Sequence, residues 1–247
     1  MSSKPFRFIN ALSCLLRKQA WGPFTEAFES SRFDHSFSIS WSQAGEDLAL
    51  MPVLQKIEKG NYLDIGAHHP TRFSVTRHLF QSGWSGVNVD GNIDLLKEFQ
   101  KQRPSDINLN YCVGSEKSYH LTIFKETAIS TVDLTWKSKF ISEENEVSET
   151  RTVSGITLRE LIENYFPSGN LDFMNLDIEG ADLDALRSAD FNSLEFYLWP
   201  KWILIEVNAP LSEVRKSATA QYLESFGYSI HLVLPFASLL SKPQIRR

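Results

Sequence analysis

The stretch "NYLDIGAHHP" at residues 61–70 decides the fold of this chain, because it runs from an apolar strand directly into a glycine turn. The segment "YLDIG" (62–66) predicts a first buried strand. A helix is predicted after it over 72–81, and a second buried strand, "GVNVD", over 86–90. This β-α-β order is typical of parallel strands joined by a helical crossover.

The same alternation of short apolar strands and amphipathic helices continues downstream. The further predicted elements are a helix at Ile93–Gln102, a strand at 107–114, a helix opened by the capping-box spacing of Thr157 and Glu160, and strands at 171–177 and 202–207. Together they predict an α/β, Rossmann-like fold with a mostly parallel sheet and helices on both faces.

The length of 247 residues fits one such domain, which we place at 41–247. Residues 119–151 interrupt the alternation and are rich in Ser, Thr and Glu, so we predict an insertion with a strand and then a mobile substrate loop. Residues 1–40 form a predicted N-terminal helical appendage. Its basic, amphipathic sequence could contact a membrane surface or pack on the domain, and it lacks the pattern of a signal peptide.

The composition excludes some classes of partner. A net charge of −5 and an isoelectric point of about 5.7 provide no basic surface, which disfavours nucleic acid as a partner. The two cysteines, Cys14 and Cys112, lie far apart in the chain and form no C-x-x-C pair, so neither a disulfide framework nor a zinc site is predicted. This cysteine usage predicts a cytoplasmic protein.

The glycine turn itself indicates which ligand it accepts. A dinucleotide-binding turn needs G-x-G-x-x-G, whereas only Gly66 of those three glycines is present here. Asp64 in the preceding strand would repel a pyrophosphate and would suit a cationic ligand. S-adenosylmethionine carries an ammonium and a sulfonium and no phosphate, so it fits this turn. Asp90 lies 24 positions beyond Gly66, close to the roughly 20-residue offset at which an acid binds ribose hydroxyls.

Polar residues gather at the predicted carboxyl ends of the strands, where ligands bind in open α/β sheets. They are Asp64, Gly66, Asp90, Asp177, Glu179, Glu206 and Asn208. Because these ends meet at one edge of a parallel sheet, the sequence predicts a single polar site there.

Six segments in order carry a family resemblance. They are "SQAGEDL" (42–48), "LDIGAHHPTRFSVT" (63–76), "GWSGVNVDGN" (83–92), "LNYCVGS" (109–115), "LDFMNLDIEGADLDAL" (171–186) and "KWILIEVN" (201–208). These resemble the ordered motifs of FkbM-type S-adenosylmethionine-dependent methyltransferases, so the resemblance implies the class I methyltransferase fold and that cofactor.

The resemblance also implies a set of cofactor-binding residues. They are Gln43, Asp47, Asp64, Gly66, Ala67, His68, Asp90, Gly91, Asn92, Cys112, Val113 and Asp177. Glu46 is expected near the methionine part of the cofactor together with Gln43 and Asp47. The chain departs from the family pattern at Gly91, where proline is frequent, at Cys112, where alanine is usual, and at Asn175, where lysine is common.

The entry "SQAGEDL" and the turn "GAHHP" are most similar to the family members associated with O-methylation of sugars, including fucose on lipo-chitooligosaccharides. The expected acceptor is therefore a hydroxyl of a sugar-containing small molecule or glycan. A non-catalytic adenosyl-binding module is the alternative, and a nicotinamide-dependent dehydrogenase is disfavoured by the missing glycines.

Methyl transfer to a sugar hydroxyl needs a group that removes the hydroxyl proton. The candidates are His68, His69, Asp177 and Glu179, and since two consecutive histidines point apart, we expect one, His69, to face the site. The same four residues could bind magnesium or iron. Adjacent histidines in a tight turn rarely reach one ion, and no H-x-x-x-H spacing is present, so no metal site is predicted.

Three further residues are candidates for substrate contact. Trp136 in the insertion could stack on a sugar ring or could equally be a buried aromatic under a loop. Glu206 lies at the end of the strand at 202–207 and Asn208 just past it, so both are expected at the same edge as the cofactor.

Overall fold

The computed structural model describes residues 38–207 and 211–243, so residues 1–37 of the predicted N-terminal appendage, and Asn208, lie outside the described residues. The helices are α1 (Glu46–Leu54), α2 (Arg77–Gln81), α3 (Ile93–Gln102), α4 (Leu134–Ser142), α5 (Leu158–Tyr165), α6 (Asp182–Arg187) and α7 (Ala218–Ser225), with 3₁₀ turns at Thr127–Ile129, Phe196–Leu198 and Leu211–Lys216. The strands are β1 (Asn61–Ile65), β2 (Ser85–Val89), β3 (Ile107–Leu109), β4 (Cys112–Val113), β5 (Ser118–Phe124), β6 (Val147–Ile156), β7 (Phe173–Leu176), β8 (Trp202–Glu206), β9 (Ser229–Val233) and β10 (Ala237–Ser241).

Seven strands form the main sheet in the order β3-β2-β1-β7-β8-β10-β9. All neighbours pair in parallel except β10, which is antiparallel to both β8 and β9. The predicted α/β fold with a mostly parallel sheet is therefore confirmed. The chain runs outward from β1 through β2 to β3 and returns to β7 on the other side of β1, and such a reversal of strand order opens a crevice at the strand ends.

Helices cover both faces of this sheet, as predicted, because successive strand residues point to opposite sides. In β1, Tyr62 packs with the buried residues of α1 and α2, and Leu63 packs with those of α5, α6 and α7. Both side chains are fully buried. The two apolar layers hold the strand ends in place for the site.

The helix predicted over 72–81 begins only at Arg77. The reason is the fully buried Arg103, whose Nη2 donates to the Pro70 carbonyl at 2.6 Å and to Ser74 Oγ at 2.7 Å. A buried guanidinium needs such acceptors. These bonds keep the preceding residues in a loop that curves around the arginine.

The strand predicted over 107–114 is divided into β3 in the main sheet and β4 in a second sheet. Asn110 lies at the break, and its Nδ2 donates to the carbonyls of Asp90 and Gly91 at 2.9 and 2.8 Å. The amide thereby diverts the chain across the end of β2.

The insertion at 119–151 contains the predicted strand, but a helix and a second strand follow it where a loop was predicted. Strands β5 and β6 form an antiparallel ribbon, β4 pairs with β6 in parallel, and α4 lies between β5 and β6 in the chain. The Asp133 side chain caps α4 by accepting from the backbone N–H groups of Thr135 and Trp136, both at 2.8 Å. Thr131 Oγ1 donates to the Glu179 carbonyl at 2.7 Å, which fastens the insertion beside the predicted site.

Candidate functional site

The turn after β1 packs directly against the end of β7. Gly66 has a φ of 77°, and a Cβ on it would lie 1.8 Å from the Asp177 carbonyl oxygen. Only glycine allows both the left-handed conformation and this approach. The turn is held to the end of β2 as well, since the N–H groups of Gly66 and Ala67 both donate to the Val89 carbonyl, at 3.0 and 3.2 Å.

Two adjoining cavities open at this edge of the sheet. The first cavity, about 70 Å³, lies at the ends of β1 and β2 under the insertion. The second cavity, about 330 Å³, extends toward the ends of β7, β8 and β10. The residues that line both are Gly66, His68, Ala128, Asp177 and Glu179. These shared residues mark the junction at which two ligands can meet.

Asp90, the predicted ribose-binding acid, lies in the wall of the first cavity. Its carboxylate accepts hydrogen bonds from the backbone N–H groups of His68 at 2.9 Å and Asn92 at 2.7 Å. Burial raises the pKa of Asp90 to about 6, although both hydrogen bonds act in the opposite direction. The carboxylate is therefore held in one orientation.

The rest of the first cavity is mainly apolar. Val89, Val113 and Leu121 are buried in its wall, with Cys112 and Gly91 beside them. Burial raises the pKa of the Cys112 thiol to about 12, so this side chain is neutral. Gly91, Cys112 and Val113, which the resemblance implies as cofactor-binding residues, thus all lie in this wall.

Asp64 lines the second cavity, where its carboxylate is held by two donors. Thr76 Oγ1 donates to it at 2.6 Å and Asn175 Nδ2 at 2.9 Å. Burial raises the pKa of Asp64 above its ordinary value, and these two hydrogen bonds oppose the shift. The neutral amide of Asn175 thus replaces the ammonium that a lysine would place there.

The two histidines of the turn have different surroundings. His68 has a φ of 52° and lines both cavities, and its Nε2 forms a hydrogen bond with Thr127 Oγ1 at 3.0 Å. Burial lowers the pKa of His68 to about 4, so the ring is neutral at pH 7. Its buried Nδ1 has no hydrogen-bond partner among the described residues.

His69 lines neither cavity. Its Nδ1 accepts from the backbone N–H groups of Thr71 at 3.1 Å and Arg72 at 3.0 Å, so the ring stabilises the loop before α2. The expectation that one of the pair faces the site holds for His68, and the choice of His69 for that position does not agree with the structure.

Three carboxyl groups face the second cavity from the ends of β7 and β8. The Asp177 side chain is exposed to the cavity yet deep in the protein, and burial followed by the charges of Glu206 and Glu179 raises its pKa well above the ordinary value. Burial and Asp182 raise the pKa of Glu179 to about 7, against the effect of Lys139. Burial, Glu179 and Asp182 raise the pKa of Glu206 to about 8.

Of the residues carried over from the "SQAGEDL" motif, Gln43 and Glu46 line the second cavity and Asp47 does not. The Asp47 carboxylate instead accepts hydrogen bonds from Ser40 Oγ at 2.7 Å, Trp41 N–H at 2.7 Å and Ser42 Oγ at 2.8 Å. Its role in this structure is to hold the chain entering α1.

Two more predicted contacts lie outside both cavities. Asn92 accepts from the Asp94 N–H at 3.1 Å and caps α3. Trp136 packs against Gly180, where a Cβ would come within 2.0 Å of its ring, and Lys139 Nζ lies 4.1 Å from the ring centroid. Trp136 therefore packs between the insertion and the loop after β7 and lines neither cavity, so the structure does not offer it as a sugar platform.

Sequence reasoning missed residues from the insertion and from the second cavity's mouth. They are Tyr111, Leu121, Thr127, Ser130, Thr131 and Val132 in the first cavity, and Arg72, Phe73, Glu126 and Phe236 in the second. Arg72 donates to Glu126 at 2.9 and 2.7 Å across that mouth. The interrupted alternation at 119–151 was the one sequence feature that indicated residues of the insertion. No sequence feature indicated Phe236.

The donor set suits a cationic nucleoside better than a dinucleotide. Asp90, Asp177 and Glu179 line the first cavity, and none of its described lining residues is a lysine or arginine that could pair with phosphate. Within residues 38–207 and 211–243, no group of three or more His, Cys, Asp or Glu side chains could hold a metal ion. None of the helices in that part of the chain has the length and apolarity needed to cross a membrane.

A family model described as the methyltransferase FkbM domain matches residues 64–230, which is more than half of the chain. No curated protein matches the chain significantly.

Three solved structures match much of this chain at low identity. A protein from Sulfolobus solfataricus described as a type 11 methyltransferase is 11% identical, with a TM-score of 0.43, over 84% of this chain and 96% of that one. The methyltransferase domain of bacterial CtHen1 is 12% identical, with a TM-score of 0.42, over 80% and 98%. TrmK of M. capricolum, solved with S-adenosylhomocysteine, is 13% identical, with a TM-score of 0.37, over 78% and 67%.

Proposed function

This chain belongs to the FkbM methyltransferase family, and we propose that it methylates a hydroxyl oxygen of a sugar or glycan. It is an S-adenosylmethionine-dependent methyltransferase, and its mostly parallel seven-stranded sheet with helices on both faces is the class I methyltransferase fold. The sugar assignment is supported by the similarity of "SQAGEDL" and "GAHHP" to sugar-modifying members. Fucose on a lipo-chitooligosaccharide is the specific acceptor that this similarity suggests, and the cytoplasm is the expected compartment.

The observation that carries the proposal is the meeting of the two cavities at Asp177. The first cavity offers an apolar wall and the fixed Asp90 carboxylate, which suit an adenine ring and ribose hydroxyls. The second cavity has room for a sugar unit and is lined by carboxyl groups that can accept hydrogen bonds from hydroxyls. A cofactor in the first cavity and an acceptor in the second would therefore meet beside Asp177, Gly66 and His68.

S-adenosylmethionine, when bound, supplies a methyl group attached to a positively charged sulfur. The residues that would hold it are Asp90 and the wall around Val113 on the adenosyl side, and Gly66 with its neighbouring backbone at the turn. The acidic junction at Asp177 and Glu179 favours the sulfonium charge over a neutral or anionic group.

We assign removal of the acceptor's proton to Asp177. Its side chain faces the cavity at the junction and makes no hydrogen bond to any described residue, and its raised pKa makes it a stronger base than an ordinary carboxylate. His68, with a pKa of about 4, is a weak base whose Nε2 already pairs with Thr127. With both ligands bound, Asp177 would take up the hydroxyl proton as the acceptor oxygen gains the methyl group and the sulfur keeps the electrons of its broken bond to that carbon.

The test is a methylation assay on a panel of sugars and on fucosylated chitooligosaccharides, with product analysis by mass spectrometry. We expect a mass increase of one methyl group, and fragmentation that locates it on oxygen. A protein that binds S-adenosylhomocysteine but methylates none of these acceptors, while it methylates amines or small phenols, would refute the sugar assignment.

A further inference from the structure

The second cavity is strongly acidic. The carboxyl-bearing residues in its wall are Glu46, Asp64, Glu126, Asp177, Glu179 and Glu206, and the one described cation among the lining residues is Arg72. Arg72 donates two hydrogen bonds to Glu126, so these two charges compensate each other. The other acidic side chains make this wall better suited to a cationic ligand than to an anionic one.

Glu206, on β8, and Phe236, the residue before β10, both line this cavity. The cross-strand partner of Glu206 is Ala237, which directly follows Phe236 in the chain, and the Phe236 carbonyl accepts from the Val207 N–H at 2.9 Å. Both side chains line the cavity, and Phe236 is 44% exposed. Within the described part of the chain, no other ring and no cation is stacked on Phe236.

Glu206 is also the carboxyl group whose effect on the acceptor can be tested apart from any effect on the cofactor. Asp177 and Glu179 line both cavities, so part of their charge faces the cofactor, whereas Glu206 lines the second cavity alone. Burial, with Glu179 and Asp182, raises the pKa of Glu206 to about 8, and Lys139 opposes this shift. A cation beside Glu206 would favour its ionised form, so binding should release a proton.

From this geometry we propose that the acceptor carries a protonated amine, which binds between the Glu206 carboxylate and the face of the Phe236 ring. An organic ammonium gains an ion pair from the first group and a cation–π contact from the second. The inference rests on the proposed function for the hydroxyl that is methylated, and it adds the class of acceptor, an amino sugar or a glycan unit with a free amine.

The test compares three methyl glycosides that differ at one carbon, which bears a free amine, an N-acetyl group or a hydroxyl. Each is titrated by calorimetry into the S-adenosylhomocysteine complex of the full chain. We expect the amine to bind more tightly than the other two by on the order of ten-fold or more, the scale of a hydrogen bond to a charged group. Repetition in buffers of different ionisation enthalpy should show proton release for the amine alone.

Glu206→Gln should abolish this preference and Phe236→Leu should reduce it, while affinity for S-adenosylhomocysteine is retained and neither variant melts at a lower temperature than the parent protein. Glu163→Gln, at an exposed glutamate of α5, is the matched control and should keep the preference. Equal binding of the three glycosides, no binding of any, or an equal loss for all three in Glu206→Gln would overturn the inference.

A second assay tests the proposed function independently of the amine site. The same three glycosides are incubated with S-adenosylmethionine, and the position of any added methyl is determined. An amine preference that depends on Glu206, with no methyl transferred to a hydroxyl, would support the amine site and contradict O-methylation. Methylation of the N-acetyl and hydroxyl glycosides as efficient as that of the amine would contradict the amine site and support O-methylation.

Discussion

The two halves of the sheet's carboxyl edge hold their acids in different ways. On the β1–β2 side, Asp64 and Asp90 each accept two hydrogen bonds from the protein. On the β7–β8 side, Asp177, Glu179 and Glu206 face a cavity and act on one another, and Lys139 is the one cation that opposes the pKa shifts of both glutamates.

Burial raises the pKa on both sides, so burial alone does not separate the halves. The two halves differ in the other groups that act on the pKa of each acid. Donors to Asp64 and Asp90 favour the ionised form and fix its orientation, whereas neighbouring carboxylates around Asp177 favour the protonated form. A fixed carboxylate suits recognition and a carboxyl group with a raised pKa suits proton transfer, so we infer that the first half binds and the second half reacts.

The largest effect is expected from Asp177→Asn, which keeps the shape of the side chain and removes its basicity. Turnover should fall by on the order of 10²–10⁴, the range for one positioned proton-transfer group. Affinity for S-adenosylhomocysteine should change little, because the hydrogen-bonded acid of the first cavity is intact. Steady-state kinetics and calorimetry on the same preparation measure the two quantities.

The matched controls are His69→Gln and His68→Gln. His69 lines neither cavity, so its variant should retain most of the activity if the loop before α2 is preserved. If instead Asp177→Asn remains active and a histidine variant loses turnover at unchanged cofactor affinity, the division between the two halves is wrong and the proton acceptor lies in the glycine turn.

Asp90→Ala tests the binding half. Loss of charge-assisted hydrogen bonds to the ribose should weaken S-adenosylhomocysteine binding by about 1.5–3 kcal/mol, with a smaller effect on turnover at saturating cofactor. Asp94→Ala, an exposed carboxylate paired with Lys97 and Arg151, is the control and should leave this affinity unchanged. Unaltered affinity in Asp90→Ala would show that the ribose does not lie beside β2.

Glu179→Gln tests the reactive half through stability. The pKa of Glu179 is raised from 4.5 to about 7 on folding, so the folded state binds more protons and stability falls as pH rises between those values. Gln removes this cost, so the free energy of unfolding should increase by about 1–3 kcal/mol at pH 8 and by much less at pH 5. Denaturant melts at both pH values measure it. An equal change at both would contradict the raised pKa.

The fold was predictable because its signals are local. The capping box at Thr157 and Glu160 and the helix at Ile93–Gln102 occur as predicted, since local side chains and apolar spacing specify them. The predicted elements were wrong where a side chain distant in sequence determines the path of the backbone. Arg103 delays the start of α2, and Asn110 divides the predicted third strand, and neither effect can be recognised without the contacts that these side chains make.

The candidate site was predictable in part for the same reason. Strand ends placed Asp64, Gly66, Asp90 and Asp177 at one edge, because the polarity of a parallel sheet requires it. Which of two adjacent histidines enters the cavity depends on the left-handed φ of His68, and no local pattern indicated it. The place of Phe236 depends on the pairing of β10 with β8, which joins segments far apart in the chain.

The smallest effect is expected at the contact that joins the loop after β1 to the insertion, the Arg72–Glu126 ion pair. Both side chains are about half exposed, 43% and 45%, so a double-mutant cycle with Arg72→Met and Glu126→Gln should give a coupling of about 0.2–1 kcal/mol that weakens with added salt. Gln retains an acceptor for the Ala128 N–H, which Glu126 binds at 3.2 Å, so the 3₁₀ turn is kept.

The cycle is measured by denaturant unfolding without ligand and with S-adenosylhomocysteine. Because the pair lies at the mouth of the second cavity, away from Asp90, the coupling should be the same in both states. A coupling that rises several-fold with the ligand would mean that the binding half and the insertion close together, and the two halves would then act as one cooperative unit.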